Sequence, residues 1–198
     1  MLENDAKMAA LSEAMLVKET HHKVLYVTIS TGIGMGLVVD GVIDTAFGDG
    51  GGRTMLVEHN DKLVPWESFA SGHAIVERYG KMAKDINDQQ TWRAITRDLT
   101  TGFLELIALT QPDIVVIGGS VGTHFQKYEK LLVANLKKYE TPLFTIPTII
   151  GAGRPEEAVL FGCYDLAVAH YHPEHHRRSQ SQPQPQLQTK NHRNHERH

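Results

Sequence analysis

The change of periodicity along the chain limits the fold more than any other feature. Residues 23–30 (KVLYVTIS) form a β-branched and aromatic run. Residues 37–39 and 42–45 then flank Asp40-Gly41, a dipeptide favoured in two-residue hairpin turns. This part reads as a meander of two or three antiparallel strands. From Trp66 onward the pattern alternates instead. Helical spacing covers about 66–79 and 89–110, an apolar strand at 113–117 stops at Gly118-Gly119, and helix, strand and helix follow at 124–138, 144–150 and 156–169. A further helix at 6–17 precedes the first strand, with Asn4 or Asp5 as its N-cap. Antiparallel strands joined to alternating helices and strands predict an α/β fold, a mixed sheet flanked by helices.

The periodic body ends near Ala169. Residues 170–198 have almost no aliphatic side chains and hold seven of the twelve histidines together with the run SQSQPQPQLQ. Such a segment buries too little apolar surface to offset the entropy of ordering it, so a disordered His/Gln/Arg-rich tail is expected after a domain at 1–169. Neighbouring imidazoles there could bind transition metals only adventitiously. The formal charge of −3 indicates neither nucleic acid nor an anionic membrane as partner. The apolar runs fall short of the roughly 18–20 residues that span a bilayer, and the N-terminus lacks signal-peptide character. A cytoplasmic location is expected. Cys163 is the single cysteine, which excludes an internal disulfide and a cysteine-based zinc site.

Chemistry concentrates in two glycine-rich turns. The first, Thr28-Ile29-Ser30-Thr31-Gly32-Ile33-Gly34-Met35-Gly36, joins two strands. Glycine lets backbone come close to an anion, and successive N–H groups make a concave nest. A strand follows it and no P-loop lysine is present, so it matches neither the dinucleotide fingerprint nor Walker A. On spacing alone, a tight structural turn and a phosphate site stay equally open. The second turn, Gly118-Gly119-Ser120-Val121-Gly122, ends an apolar strand and precedes a helix, where open α/β sheets bind ligands and helix N-termini favour anions. Together the turns indicate a nucleotide cleft.

The ordered series Glu3-Asn4-Asp5-Ala6, Thr31-Gly32-Ile33-Gly34, Trp66-Glu67-Ser68-Phe69-Ala70-Ser71-Gly72 and Gly118-Gly119-Ser120-Val121 resembles the motifs of ROK-family sugar kinases, bacterial glucokinases above all. The resemblance covers residues 2–169 and implies a lobe of the actin-like ATPase (ribonuclease H-like) fold. It implies ATP-dependent phosphorylation of a hexose, glucose to glucose 6-phosphate, with Asp5 as general base and Asn4 and Glu67 on the sugar. Thr31, Gly32 and Gly34 are then at the ATP phosphates, and Gly118 and Gly119 beside adenosine. Mg²⁺ would come with the nucleotide, and a homo-oligomer is expected. The chain departs from the family pattern in three places. Gly51-Gly52-Arg53-Thr54 stands where a Glu-x-Gly-His sequence supplies two sugar ligands. The segment between Thr54 and Glu67 has no cysteine, so no zinc is expected. The lobe of roughly a hundred residues that carries an Asp-x-Gly phosphate loop has no counterpart before Met1. These departures support a second expectation, a catalytically inactive sugar- or nucleotide-binding or oligomerisation fragment.

Blander roles are open to the same residues. Asp5 could serve only as a helix cap, and Glu67 only as a solvated first-turn residue. Trp66 reads as core, and His59, His73 and His124 as surface or satisfied core side chains. Cys163 reads as a small buried residue.

Overall fold

A computed structural model describes residues 4–154 and 158–171. Residues 1–166 and 167–198 form two compact units, and the second is described only to the end of one helix.

Helix α1 (Asp5–Val17) leads into β1 (Lys23–Ile29), β2 (Ile33–Val39) and β3 (Val42–Ile43). Between β2 and β3, Asp40 and Gly41 both take positive φ, 51° and 76°, as a two-residue hairpin of the mirror-image type requires. Next come the one-turn helix α2 (Gly51–Thr54), the hairpin β4 (Leu56–His59) and β5 (Lys62–Pro65), and helices α3 (Glu67–Ala70), α4 (Gly72–Tyr79) and α5 (Gln89–Thr110). Strand β6 (Ile114–Gly118), helices α6 (Gly119–Gly122) and α7 (Glu129–Lys137), strand β7 (Thr148–Gly151) and helix α8 (Ala158–Tyr171) complete the described chain. The main sheet has the order β3-β2-β1-β6-β7. β1 is antiparallel to β2 and parallel to β6, which is parallel to β7. The sheet is therefore mixed, as the change of periodicity requires.

Alternation along β1 and β6 divides the core between the two faces. Leu25, Val27, Ile29, Val115 and Ile117 join Trp66, Leu99, Phe103 and Ile107 on one side. Val24, Tyr26, Ile114 and Val116 join Ala9, Ala10, Leu11 and Ala14 of α1 on the other. Because both faces are covered, the central strands read as continuous apolar runs. Helix α1 approaches β2 closely: a Cβ on Gly36 would fall 2.6 Å from the Ala10 Cβ. Residues 6–14 of α1 are all buried, including two charges. Lys7 Nζ meets Asp49 at 2.7 Å, and the Glu13 carboxylate accepts from the Gly153 and Arg154 amides at 2.8 and 2.7 Å. Pairing of this kind is the condition for burying charge.

Several elements differ from expectation. The helix over 66–79 is two helices, α3 and α4, broken at Ser71, whose hydroxyl accepts from the Ala74 amide at 3.2 Å as the N-cap of α4. The helix over 124–138 begins as a 3₁₀ turn, Phe125–Lys127, before α7. The strand over 144–150 shrinks to Thr148–Gly151, since Pro147 has no N–H for the ladder and restrains the residue before it. Elements α2 and the β4–β5 hairpin lie in residues 51–65, where the sequence predicts no element because the apolar runs Met55-Leu56-Val57 and Leu63-Val64 are only two or three residues long. The hairpin turns on Asn60 and Asp61, both at positive φ. Cys163 is exposed, because α8 meets α1 through Gly162, where a Cβ would collide with the Met8 carbonyl. The expected tail lies outside the described residues beyond Tyr171, and so do residues 156 and 157, the first two of the helix expected over 156–169. No helix among the described residues is long and apolar enough to cross a membrane.

Candidate functional site

The parallel pairing of β1 with β6 places their carboxyl ends together, with Thr28 opposite Gly118. The chain leaves β1 through a tight turn in which the Ser30 amide donates to the Gly32 carbonyl at 2.8 Å. It leaves β6 through Gly119, whose φ of +79° favours glycine and where a Cβ would fall 2.5 Å from the Ile29 carbonyl oxygen. A cavity of about 320 Å³ lies between the turns, bordered by Ser30, Thr31, His73, Lys84, Ser120 and His124. Apolar Val76, Met82 and Val121 form its wall. Thus Thr31 and the turn after β6, 87 residues apart in sequence at Gly118, share one cleft. A second cavity of about 220 Å³ holds Asp5, Tyr26, Thr28, Ser30 and Gly119. Ser30 borders both cavities.

Asn4 is the N-cap of α1. Its Oδ1 accepts from the Ala6 amide at 2.9 Å, and its Nδ2 donates to the Asp49 carbonyl at 3.4 Å. Asp5 is left as an exposed first-turn residue rather than the cap. Glu67 is not a solvated helix residue, being 22% exposed. Its Oε2 accepts from the Ile33 amide at 2.8 Å, and its Oε1 lies 3.5 Å from Arg53 Nε. The carboxylate thereby closes the turn between β1 and β2 and occupies the space that a side chain on Gly32 would need. Gly34 falls inside β2, not in the turn. It lies under α1, where a Cβ would sit 2.9 Å from both the Ala6 Cβ and the Thr28 methyl.

Gly51 has φ +54°, and a side chain there would run into the Ile33 carbonyl. The backbone at this position has no room for a carboxylate-bearing side chain. The Thr54 hydroxyl turns back to the Gly51 carbonyl at 3.5 Å. Trp66 is fully buried, its indole N–H donating to the Asp98 carbonyl at 3.1 Å. His59 stacks on Phe69 with ring centroids 3.9 Å apart.

Sequence reasoning gave no site role to Tyr26 or to Thr28, the latter named only as the start of the first glycine-rich turn, and did not reach the Glu67–Ile33 contact. The first two had a visible signal, the i, i+2 spacing that puts both on one face of β1. The third joins residues 34 apart and has no local signature.

Sheet order, helices on both faces and two turns meeting at a cleft define an α/β lobe of the actin-like ATPase class. A sequence profile described as "ROK family" matches residues 1–170, and the chain belongs to the ROK family. A ROK family glucokinase from Streptomyces griseus, solved with glucose and AMPPNP, superposes with TM-score 0.70 at 20% identity, covering 84% of this chain and 67% of that one. A ROK hexokinase from Thermus thermophilus superposes with TM-score 0.64 at 26% identity, covering 82% and 62%. A Bacillus subtilis protein named "Putative fructokinase" is 30% identical over 129 residues, 59% of this chain and 43% of its own length. The chain spans about half the length of the curated relatives it matches.

Proposed function

We propose that this chain carries the nucleotide turns and the proton acceptor of an ATP-dependent hexose kinase, with glucose as acceptor. The observation that supports this most is the meeting of three distant segments. Asp5, the turn after β1 and the turn after β6 border two cavities that share Ser30. Phosphoryl transfer asks the protein mainly to position groups and neutralise charge. The backbone around Thr31-Gly32 and Gly118-Gly119 offers N–H dipoles to the phosphates, and the Val76, Met82 and Val121 wall suits a base. Asp5, at the mouth of the smaller cavity, accepts the proton of the sugar hydroxyl as it attacks the γ-phosphoryl group. Asn4 fixes the start of α1 and so the direction of Asp5.

No group of three or more His, Cys, Asp or Glu among the described residues could hold a metal ion. Mg²⁺ would come with the nucleotide and neutralise phosphate charge.

A coupled ADP-release assay with glucose, mannose, fructose and N-acetylmannosamine tests the reading. Turnover with a hexose, reduced about 10²-fold or more in Asp5→Asn, is the expected result. Absence of turnover from folded protein with all four sugars refutes it. One observation favours a second reading, binding without phosphorylation: Gly51 leaves no room for the glutamate that the family pattern places on the sugar. Calorimetry that finds ATP or glucose bound by a protein with no turnover selects this second reading.

A further inference from the structure

Tyr26 and Thr28 lie two residues apart in β1, so their side chains leave the same face of the sheet, toward α1. The Tyr26 ring is 2% exposed and leans along the strand, past its partner Val116, until its hydroxyl fills the space that a Cβ on Gly118 would need. Thr28 does the same one residue later: a Cβ on Gly119 would fall 2.6 Å from the Thr28 Oγ1. The two hydroxyls lie under successive residues of the Gly118-Gly119 turn. Both line the cavity that holds Asp5 and Ser30. The rest of the Tyr26 surroundings is apolar, with Ala9, Ala10, Val24 and Val116 in the same cluster. Phenylalanine would fill that space without a buried hydroxyl to satisfy, so packing alone does not account for the phenol.

We propose that the Thr28 hydroxyl contacts the phosphate end of the nucleotide held at the Gly118-Gly119 turn, and that Tyr26 is a positioning residue that orients this hydroxyl. The proposal rests on the nucleotide reading above and adds two residues to it. Burial pushes the Tyr26 phenol up to about 12, opposed by the Thr28 hydroxyl and helped by the Glu13 charge, so the phenol keeps its proton at working pH. With an anion in the cavity, its O–H donates to the Thr28 oxygen. The Thr28 hydrogen is then left to point into the cavity, toward an anion. In the opposite arrangement Thr28 would donate to Tyr26 and present only lone pairs to a phosphate, so a bound anion selects the first arrangement.

Calorimetry of the full chain with AMPPNP and Mg²⁺ tests this, using Tyr26→Phe, Thr28→Val, Thr28→Ser and the Tyr26→Phe/Thr28→Val double variant. Thr28→Val should bind about ten-fold more weakly and Tyr26→Phe about three-fold more weakly, while Thr28→Ser binds as wild type does. The double variant should bind no more weakly than Thr28→Val, because Tyr26 acts only through Thr28. A merely structural role predicts additive losses instead. Additive losses, Thr28→Ser binding no better than Thr28→Val, or Thr28→Val binding as wild type does would each overturn the proposal. If Tyr26→Phe does not fold, the valine and serine variants at Thr28 decide the matter. A folded wild-type chain that binds no AMPPNP fails the nucleotide reading itself, a result distinct from wild-type binding with unaffected variants.

Discussion

Replacing Glu67 by alanine removes the acceptor that holds the turn between β1 and β2. The Ile33 amide now donates to a carboxylate at 2.8 Å, in a residue only 3% exposed. Losing that partner leaves a buried N–H unpaired, which costs about 1–3 kcal/mol. The Arg53 contact adds little, since that guanidinium is 81% exposed at 3.5 Å and surface ion pairs contribute about 0–1 kcal/mol. A net loss near 2 kcal/mol should lower the melting midpoint by about 4–8 °C for a domain of this size. Glu67→Gln keeps a carbonyl oxygen for the amide and should lose about half as much or less, because only the charge assistance is removed. Thermal unfolding followed by far-UV circular dichroism, at fixed pH and salt, measures both variants. An alanine variant that melts with wild type, or a glutamine variant as damaged as alanine, refutes the assignment of Glu67 to the turn. The pair also separates this role from sugar binding. A side chain devoted to sugar would weaken glucose binding in Glu67→Gln and leave the ligand-free melting curve in place.

Four further outcomes follow from the geometry. Gly51→Ala should destabilise the chain in urea by about 1–3 kcal/mol, since φ +54° is strained for alanine and its Cβ meets the Ile33 carbonyl. Asp49→Asn should cost about 1–2 kcal/mol in the same assay, because the buried Lys7, 3% exposed, loses its ion-pair partner, while Asp49 itself is 67% exposed, which tempers the loss. Asp113 is held below the usual carboxylate range by the Lys23 amide, against some desolvation, and by the His22 amide. Its contribution is present above the unfolded value near 4 and is lost as pH falls through the lower folded value, so wild type and Asp113→Asn should differ at pH 7, begin to approach each other below about pH 4 and meet only below the folded value in pH-dependent melting. The exposed Leu160 and Tyr164 of α8 support association of copies, and sedimentation should show mass that rises with concentration and falls in Leu160→Glu.

The parts of the fold legible in the sequence are those with local causes. Asp40-Gly41 signals its hairpin because both residues tolerate positive φ, and the 22 residues of α5 carry an unbroken helical period from the Asp88 cap onward. The break at Ser71 is hidden because apolar spacing runs through it, and only the cap bond reveals two helices. Four-residue strands at Leu56–His59 and Lys62–Pro65 are too short for alternation to register, and Asn60-Asp61 is a weaker turn signal than Asn-Gly. In the site, the order of motifs was readable and the assignments within them less so. Gly34 and Gly36 resemble phosphate-loop glycines in sequence, yet Ala6 and Ala10 of α1 account for them by close packing. The Glu67 carboxylate meets Ile33 only because α3 folds back over the β1–β2 turn, a tertiary fact without a sequence period.

The most direct test of the central claim is to follow the backbone amides of the protein by NMR during titration with AMPPNP and Mg²⁺. The account predicts saturable shifts concentrated at Thr31, Gly32, Gly118 and Gly119, with the amides of the β4–β5 hairpin unmoved. Saturable binding with shifts confined to any other surface, or no shift at those four amides at saturating nucleotide, would contradict it.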